Sequence, residues 1–262
     1  MDKIIGLGNA LIDVLATLKD DTLLDELELP KGSMQLIDDA KLQQINTKFS
    51  QMKTHLATGG SAGNAILGLA CLGAGTGFIG KVGNDHYGDF FRKNLQKNNI
   101  EDNLLTSEQL PSGVASTFIS QDGERTFGTY LGAAASLKAE DLTLEMFKGY
   151  AYLFIEGYLV QDHEMILHAI ELAKEAGLQI CLDMASYNIV ENDLEFFSLL
   201  INKYVDIVFA NEEEAKAFTG EEPEEALRVI AKKCSIAIVK VGANGSYIRK
   251  GTEEIKVSAI PV

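Results

Sequence analysis

Residues 59–64 of this chain read GGSAGN, a pattern that could bind a ligand through its backbone. The segment leads directly into residues 65–72, whose apolar spacing predicts a helix. Paired glycines let the backbone approach a ligand closely, and N–H groups at a helix start can donate to it. A tight loop in which Asn64 caps the helix explains the same letters equally well.

Asn211 and Glu214 stand in the acidic run NEEE. A spacing of three places both side chains on one face of a first helical turn. The residues alone favour a reading that needs no ligand, an acidic helix start capped by Asn211, because acidic side chains suit the positive end of a helix dipole.

Two other glycine motifs match nucleotide-binding patterns only by letter. Gly6-x-Gly8 is followed by Leu11 where a dinucleotide fingerprint requires glycine, and residues 75–80 read GTGFIG. Lys81 continues the second motif like a P-loop, but Val82 stands where Ser or Thr would bind Mg²⁺. No helical pattern begins at the third glycine of residues 75–80, which disfavours both the dinucleotide-binding and the P-loop reading of that segment. We therefore keep a dinucleotide-binding oxidoreductase only as an alternative to the function that the motifs discussed below imply.

The second half of the chain alternates apolar runs with amphipathic segments. The runs predicted as strands are 151–157, 178–183, 205–210 and 236–241. Nearly continuous apolar strands that alternate with helices predict a mostly parallel sheet covered on both faces. Ligands then belong at the carboxyl ends of the strands.

The first half predicts a smaller, more polar β structure. Segments 113–119 and 125–131 flank Asp122-Gly123, a dipeptide suited to a tight hairpin turn. We expect a single α/β domain over residues 1–262, with lid segments at about 11–38 and 113–131.

Composition restricts the partners. The chain has 262 residues, 23 Lys+Arg and 38 Asp+Glu, and a net charge of −15, which disfavours binding to nucleic acid or to an anionic membrane surface. Residues 58–80 carry no charge, but their glycines argue against a membrane span. Three cysteines in apolar runs and an amino end without a signal sequence predict a cytoplasmic protein.

Five segments in a fixed order resemble the PfkB family of carbohydrate and nucleoside kinases, the ribokinase and adenosine kinase type. They are GNALID, GGSAGNAILGLACLG with FIGKVGNDHYGDFF, DGERTF with YLGAA, NEEE, and VKVGANGSYI. The resemblance implies a ribokinase-like three-layer α/β/α sandwich with a mostly parallel central sheet and a small β-sheet lid. It also implies phosphoryl transfer from ATP, with Mg²⁺, to a hydroxyl of a sugar or nucleoside. A homodimer formed through the lid is compatible with it.

The resemblance assigns roles to eleven residues. Those expected to bind substrate are Asn9, Asp13, Gly59, Gly60, Asn64 and Arg125. Those expected at the nucleotide are Asn211, Glu214, Lys240, Gly242 and Gly245, with Glu214 orienting the metal. Lys240 stands where the family is expected to have a small hydroxyl residue.

The family's last motif, Asp-Thr-x-Gly-Ala-Gly-Asp, would follow Val262 and would supply the catalytic aspartate. We therefore assign no catalytic residue and expect the 262-residue chain itself to be inactive or nearly so. A non-catalytic homologue that binds a sugar or nucleoside is a second alternative function.

Overall fold

The computed structural model describes residues 2–260 as a mixed α/β chain. Its strands are β1 Ile4–Leu7, β2 Leu11–Thr17, β3 Met34–Leu36, β4 Thr54–Gly59, β5 Thr76–Gly83, β6 Ile100–Ser107, β7 Gly113–Ile119, β8 Arg125–Tyr130, β9 Tyr152–Glu156, β10 Gln179–Asp183, β11 Ile207–Asn211, β12 Ile236–Lys240, β13 Ser246–Lys250 and β14 Glu253–Val257. Its α-helices are α1 Thr22–Glu26, α2 Asp39–Phe49, α3 Ser61–Cys71, α4 His86–Lys97, α5 His163–Glu175, α6 Tyr187–Asn192, α7 Leu194–Lys203, α8 Glu212–Thr219 and α9 Pro223–Ile230.

The chain divides into two compact units, which we name by their sheets. The parallel-sheet unit comprises the described parts of residues 1–8, 72–77 and 138–262. The flap unit comprises residues 9–71 and 78–137. That residues 1–262 act as a single domain stays a prediction.

In the parallel-sheet unit seven strands follow the order β14-β13-β12-β11-β10-β9-β1. Strands β1, β9, β10, β11 and β12 are parallel, and β13 and β14 continue the sheet in antiparallel fashion. The four apolar runs predicted as strands correspond to β9, β10, β11 and β12. The α/β class with a mostly parallel sheet is thus confirmed.

Helix α5 illustrates why these segments fold as they do. The side chain of Asp162 accepts a hydrogen bond from the Met165 N–H at the helix start. The apolar side chains that repeat along one face, Ile166, Ala169, Ile170 and Ala173, are fully buried. Gly177, with φ +86°, follows the helix and turns the chain toward β10.

The flap unit contains a five-stranded sheet with the order β3-β8-β7-β2-β4. Strands β7 and β8 form the predicted hairpin around Asp122-Gly123, with Gly123 at φ +85°. Strands β2 and β3 lie in the segments predicted to join it, whereas β4, which pairs with β2 in antiparallel fashion, was not predicted.

The two faces of this sheet differ. One face, which includes Val14 and Phe118, packs against α2, where the ring centroids of Phe49 and Phe118 are 5.0 Å apart. Because side chains alternate along a strand, Asp13 and Thr117 belong to the opposite face. We call this opposite face the open face.

Within residues 2–260 no helix is both long and apolar enough to span a membrane.

Candidate functional site

Two glycines fix the backbone beside the start of α3. A Cβ atom on Gly60, whose φ is +85°, would lie 2.2 Å from the carbonyl oxygen of Asn9. A Cβ atom on Gly59 would lie 2.3 Å from Oδ1 of Asp13. Position 60 therefore requires glycine, whereas a side chain at position 59 would displace the Asp13 carboxylate. The end of β4 lies directly against two of the predicted substrate-binding residues.

Asp13 is a half-buried carboxylate on β2, and no residue in 2–260 donates a hydrogen bond to it. Burial raises the pKa of Asp13, and the positive charge of Arg125 partly opposes that rise. A carboxylate that is desolvated without a donor destabilises the folded state. Its oxygens are available to accept hydrogen bonds from a ligand's hydroxyl groups.

The other predicted substrate residues also lie in the flap unit. Asn9 is buried, and Asn64 is exposed on the first turn of α3, where its N–H donates to the Gly60 carbonyl at 2.9 Å. Since α3 begins at Ser61, the reading of Asn64 as the helix cap was wrong. Arg125 is exposed, and within the described chain it forms no ion pair with its neighbour Glu124.

A shallow apolar groove lies along the edge of the flap sheet. It is lined by Leu36, Ile37, Leu110, Thr129, Tyr130, Leu131 and Gly132. Leu36 is 62 % exposed and Leu110 is 40 % exposed. The register pairs Thr129 with Leu36 on one side and with Ala115 on the other, and Ala115 pairs with Asp13. The groove therefore continues the open face that carries the Asp13 carboxylate.

In the parallel-sheet unit, Asn211 and Glu214 form a reciprocal capping box. Oε2 of Glu214 accepts from the Asn211 N–H at 2.7 Å, and Oε1 accepts from Nδ2 of Asn211 at 2.7 Å. Oδ1 of Asn211 accepts in turn from the Glu214 N–H at 2.8 Å. The motif thus starts α8, as the residues alone indicated, and it also fixes a carboxylate at the carboxyl end of β11.

Glu214 is only 2 % exposed. Burial raises its pKa, the hydrogen bond from Asn211 opposes the rise, and Asp183 adds to it. Among residues 2–260 no group of three or more Asp, Glu, His or Cys side chains is arranged to hold a metal ion. The Glu214 carboxylate fixed by Asn211 would fit a Mg²⁺ ion that keeps most of its water and binds phosphate, because such an ion needs few protein ligands.

Lys240, Gly242 and Gly245 lie at the end of β12 and in the turn that follows. Gly242 has φ +54°, and a Cβ atom there would meet nothing within 4 Å, so the backbone is open to a ligand. Gly245 has φ +91°, and its Cβ atom would lie 1.9 Å from the carbonyl oxygen of Val257. Packing against the end of β14 therefore explains Gly245 without any ligand.

Two further acidic groups lie at this edge of the sheet. Glu156 ends β9, is 1 % exposed and is paired in register with Asp183 at the end of β10. Burial raises the pKa of nearby Tyr158, and the charges of Glu156, Glu214 and Asp183 raise it further. Sequence reasoning missed Glu156 and Tyr158, although a charged residue that ends the apolar run AYLFIEG was a usable signal.

The structure groups the predicted residues in two sets. Asn9, Asp13, Gly59 and Gly60 are neighbours in the flap unit, and Arg125 acts on Asp13 electrostatically. Asn211, Glu214 and Lys240 are neighbours at one end of the parallel sheet. The glycine motif at 75–80, by contrast, lies largely within β5 and begins no helix, as its sequence context indicated.

These features define a class of α/β protein with a mostly parallel sheet, acidic strand ends and a separate small flap sheet. The family model described as pfkB family carbohydrate kinase matches residues 32–262. The chain therefore belongs to the pfkB family, as its sequence motifs indicated.

Individual relatives agree with the family. Guanosine-inosine kinase of Escherichia coli K12 is 25 % identical over 264 residues, which cover 96 % of this chain and 61 % of the relative's length. Adenosine kinase 2 of Arabidopsis thaliana is 25 % identical and is matched over 99 % of this chain and 76 % of its own length. These kinase relatives give no support to the oxidoreductase alternative.

Solved structures confirm the ribokinase-like fold. The structure described as a "probable sugar kinase protein" from Rhizobium etli CFN 42 superimposes with a TM-score of 0.88 at 31 % identity, over 100 % of this chain and 80 % of that one. Adenosine kinase from Sinorhizobium meliloti gives a TM-score of 0.86 at 30 % identity, over 100 % and 81 %.

Proposed function

We propose that this protein is a cytoplasmic kinase that transfers the γ-phosphoryl group of ATP to a hydroxyl group of a nucleoside or sugar. The observation that carries the proposal is Asp13, a half-buried carboxylate that no residue in 2–260 satisfies with a hydrogen bond. Such a group is unfavourable in the free protein, and ligand hydroxyls would compensate for it. Membership of the pfkB family supports the same assignment.

On the substrate side, Asp13 accepts hydrogen bonds from two neighbouring hydroxyl groups and so orients the sugar ring. Gly59 and Gly60 let the end of β4 lie against Asp13 and Asn9, and the amides of Asn9 and Asn64 provide further polar contacts. Arg125, on the flap, contributes a positive charge near the Asp13 carboxylate. Closure of the flap over the sugar would exclude water from the reaction.

On the nucleotide side, Gly242 leaves the backbone open, and Lys240 provides a positive charge at the sheet edge. Glu214, fixed by Asn211, would orient a hydrated Mg²⁺ ion, and Gly245 shapes the turn. When bound, Mg²⁺ neutralises charge on the phosphate oxygens. The expectation that the catalytic aspartate lies beyond Val262 stays a prediction, as does dimer formation through the lid.

The apolar groove favours a nucleoside over a simple sugar. Free sugars present hydroxyl groups over most of their surface, whereas a nucleoside has hydroxyls at one end and a flat base at the other. The surface beside Asp13 has this same division, because the carboxylate is followed along the open face by Thr129 and the exposed Leu36. Relatives whose names include adenosine and guanosine-inosine kinases support the same choice.

Ligand-dependent changes in Tm test this proposal. We expect ATP with Mg²⁺ to raise the Tm, NAD(H) to leave it unchanged, and purine nucleosides to raise it more than ribose does. Stabilisation by NAD(H) but not by ATP would contradict the proposal. Stabilisation by ribose but not by any nucleoside would contradict the preference for nucleosides and keep the kinase assignment.

A further inference from the structure

Lys240 and Asp183 form an ion pair across the carboxyl edge of the parallel sheet. Nζ of Lys240 lies 3.1 Å from Oδ2 of Asp183, although the two residues are 57 positions apart. Lys240 ends β12 and Asp183 ends β10, with β11 between them. The lysine side chain therefore crosses above Asn211, its register partner at the end of β11.

The two partners differ in how firmly they are held. Oδ1 of Asp183 also accepts a hydrogen bond from the Ala185 N–H at 2.9 Å, within a turn in which Ala185 takes φ +65°. The Asp183 side chain is 18 % exposed, whereas that of Lys240 is 47 % exposed. A lysine has a flexible stem of four carbons and three rotatable donors. The ammonium group can thus leave the carboxylate with little disturbance of the backbone.

The surroundings of this ion pair are strongly acidic. The ends of β9 and β10 carry Glu156 and Asp183, and Glu214 follows β11. All three carboxyl groups act electrostatically on Tyr158, which shows that they share one neighbourhood. An anionic phosphate chain would be repelled there unless cations compensated. A hydrated Mg²⁺ bound there would supply only part of that compensation, so a second positive charge would still be needed.

From these observations, and resting on the function proposed above, we infer that Lys240 is a phosphate-binding residue that Asp183 holds in place until nucleotide arrives. In the free protein the ammonium pairs with Asp183. When nucleotide binds, the ammonium exchanges this carboxylate for a phosphate oxygen. Exposed ion pairs are weak, and phosphate offers more charge, so the exchange is favourable. Asp183 acts as a positioning residue and does not contact the nucleotide.

A purely structural role predicts a different pattern. If the pair only ties β10 to β12, neutralising either partner should weaken folding and nucleotide binding in the same direction. If Asp183 competes with phosphate for Lys240, the two substitutions should act on nucleotide affinity in opposite directions. The sign of the effect of Asp183→Asn therefore separates the two accounts.

The experiment measures the Kd of ATP with Mg²⁺ by calorimetry, at several salt concentrations, for the wild type and three variants. Lys240→Met keeps the stem and removes the charge, and Asp183→Asn keeps the shape and removes the competing carboxylate. Lys232→Met is the matched control, because Lys232 is also exposed but lies before β12, at the opposite end of that strand. An uncharged nucleoside serves as the second ligand.

We expect Lys240→Met to weaken ATP binding by about tenfold or more, the effect of one hydrogen bond to a charged group, and to reduce its salt dependence. Asp183→Asn should lower the Kd of ATP by a few fold, and neither variant should alter nucleoside binding. Wild-type ATP affinity in Lys240→Met, or an unchanged or higher Kd of ATP in Asp183→Asn, would overturn this inference and leave the proposed function in place. Absence of ATP binding in the wild type would overturn the proposed function as well.

Discussion

Replacing Asp13 with Asn should stabilise the free protein and weaken substrate binding at the same time. Asp13 is half-buried, and no residue in 2–260 donates a hydrogen bond to its carboxylate. Asn has the same shape without the charge, so the substitution removes the desolvation of an ion from the folded state. We expect the free energy of unfolding at neutral pH to rise by ~0.5–1 kcal/mol, or roughly 1–4 °C in Tm for a chain of this size.

The binding loss follows from the hydrogen bonds that Asp13 is proposed to accept. Hydrogen bonds to a charged group are worth about 1.5–3 kcal/mol each, and Asn retains one acceptor oxygen of the two. The variant should therefore lose one such bond, which raises the Kd of the nucleoside by about 10–100-fold. ATP affinity should not change, since the residues proposed to bind it lie in the parallel-sheet unit.

The stability effect should depend on pH in a defined direction. Burial raises the pKa of Asp13 above its ordinary value of 3.8, so the unfolded chain releases this proton at a lower pH than the folded chain does. The stability of the wild type relative to Asp13→Asn is therefore highest below pH 3.8, and it falls as the pH rises from there through the raised pKa of the folded state.

Thermal unfolding between pH 4 and pH 7, with calorimetric titration of the nucleoside, measures both effects. The difference in Tm between Asp13→Asn and the wild type should shrink toward pH 4. A variant that is less stable than the wild type at pH 7 and binds the nucleoside with unchanged affinity would refute the reasoning.

Three further predictions concern stability. Gly60→Ala should lower the free energy of unfolding by about 2 kcal/mol or more in urea titrations, whereas Gly123→Ala, with the same φ but no atom near its Cβ, should lose only about 1 kcal/mol. Equal losses would show that the close contact at Gly60 does not matter. Burial opposes ionisation of Asp85, but four hydrogen bonds to the carboxylate outweigh burial and lower its pKa. Asp85→Asn should therefore lower the free energy of unfolding by about 1–3 kcal/mol at pH 7, and by progressively less as the pH falls below 3.8. A loss independent of pH would contradict this. Asn211→Ala should lower the free energy of unfolding by about 1–3 kcal/mol, because it removes the Oδ1 that caps the helix and the Nδ2 donor to buried Glu214. A variant with wild-type Tm would argue against that role.

The parallel sheet was readable from the sequence because its strands are buried on both faces. Runs such as 151–157 and 236–241 are almost continuously apolar and are separated by segments with helical spacing, so their class and order follow from pattern alone. The hairpin at Asp122-Gly123 was readable for a different reason, since few dipeptides tolerate a tight turn so well.

Other features depend on residues that are distant in sequence. Strand β4 was missed because only one of its six residues, Gly59, is buried, and the strand exists through its pairing with β2. Asn64 resembled a cap, but Gly60 at φ +85° lets α3 begin at Ser61. The ion pair of Lys240 with Asp183 joins two strand ends that no local pattern connects.

The most direct test of the kinase assignment is a product assay. Protein expressed from the complete open reading frame is incubated with ATP, Mg²⁺ and adenosine, guanosine, inosine, ribose or fructose in turn, and phosphorylated products and ADP are quantified by chromatography. We predict a nucleoside monophosphate formed in a one-to-one ratio with ADP, and loss of this product in Asp13→Asn at low nucleoside concentration. Binding of ATP and a nucleoside without formation of any phosphorylated product would contradict the assignment.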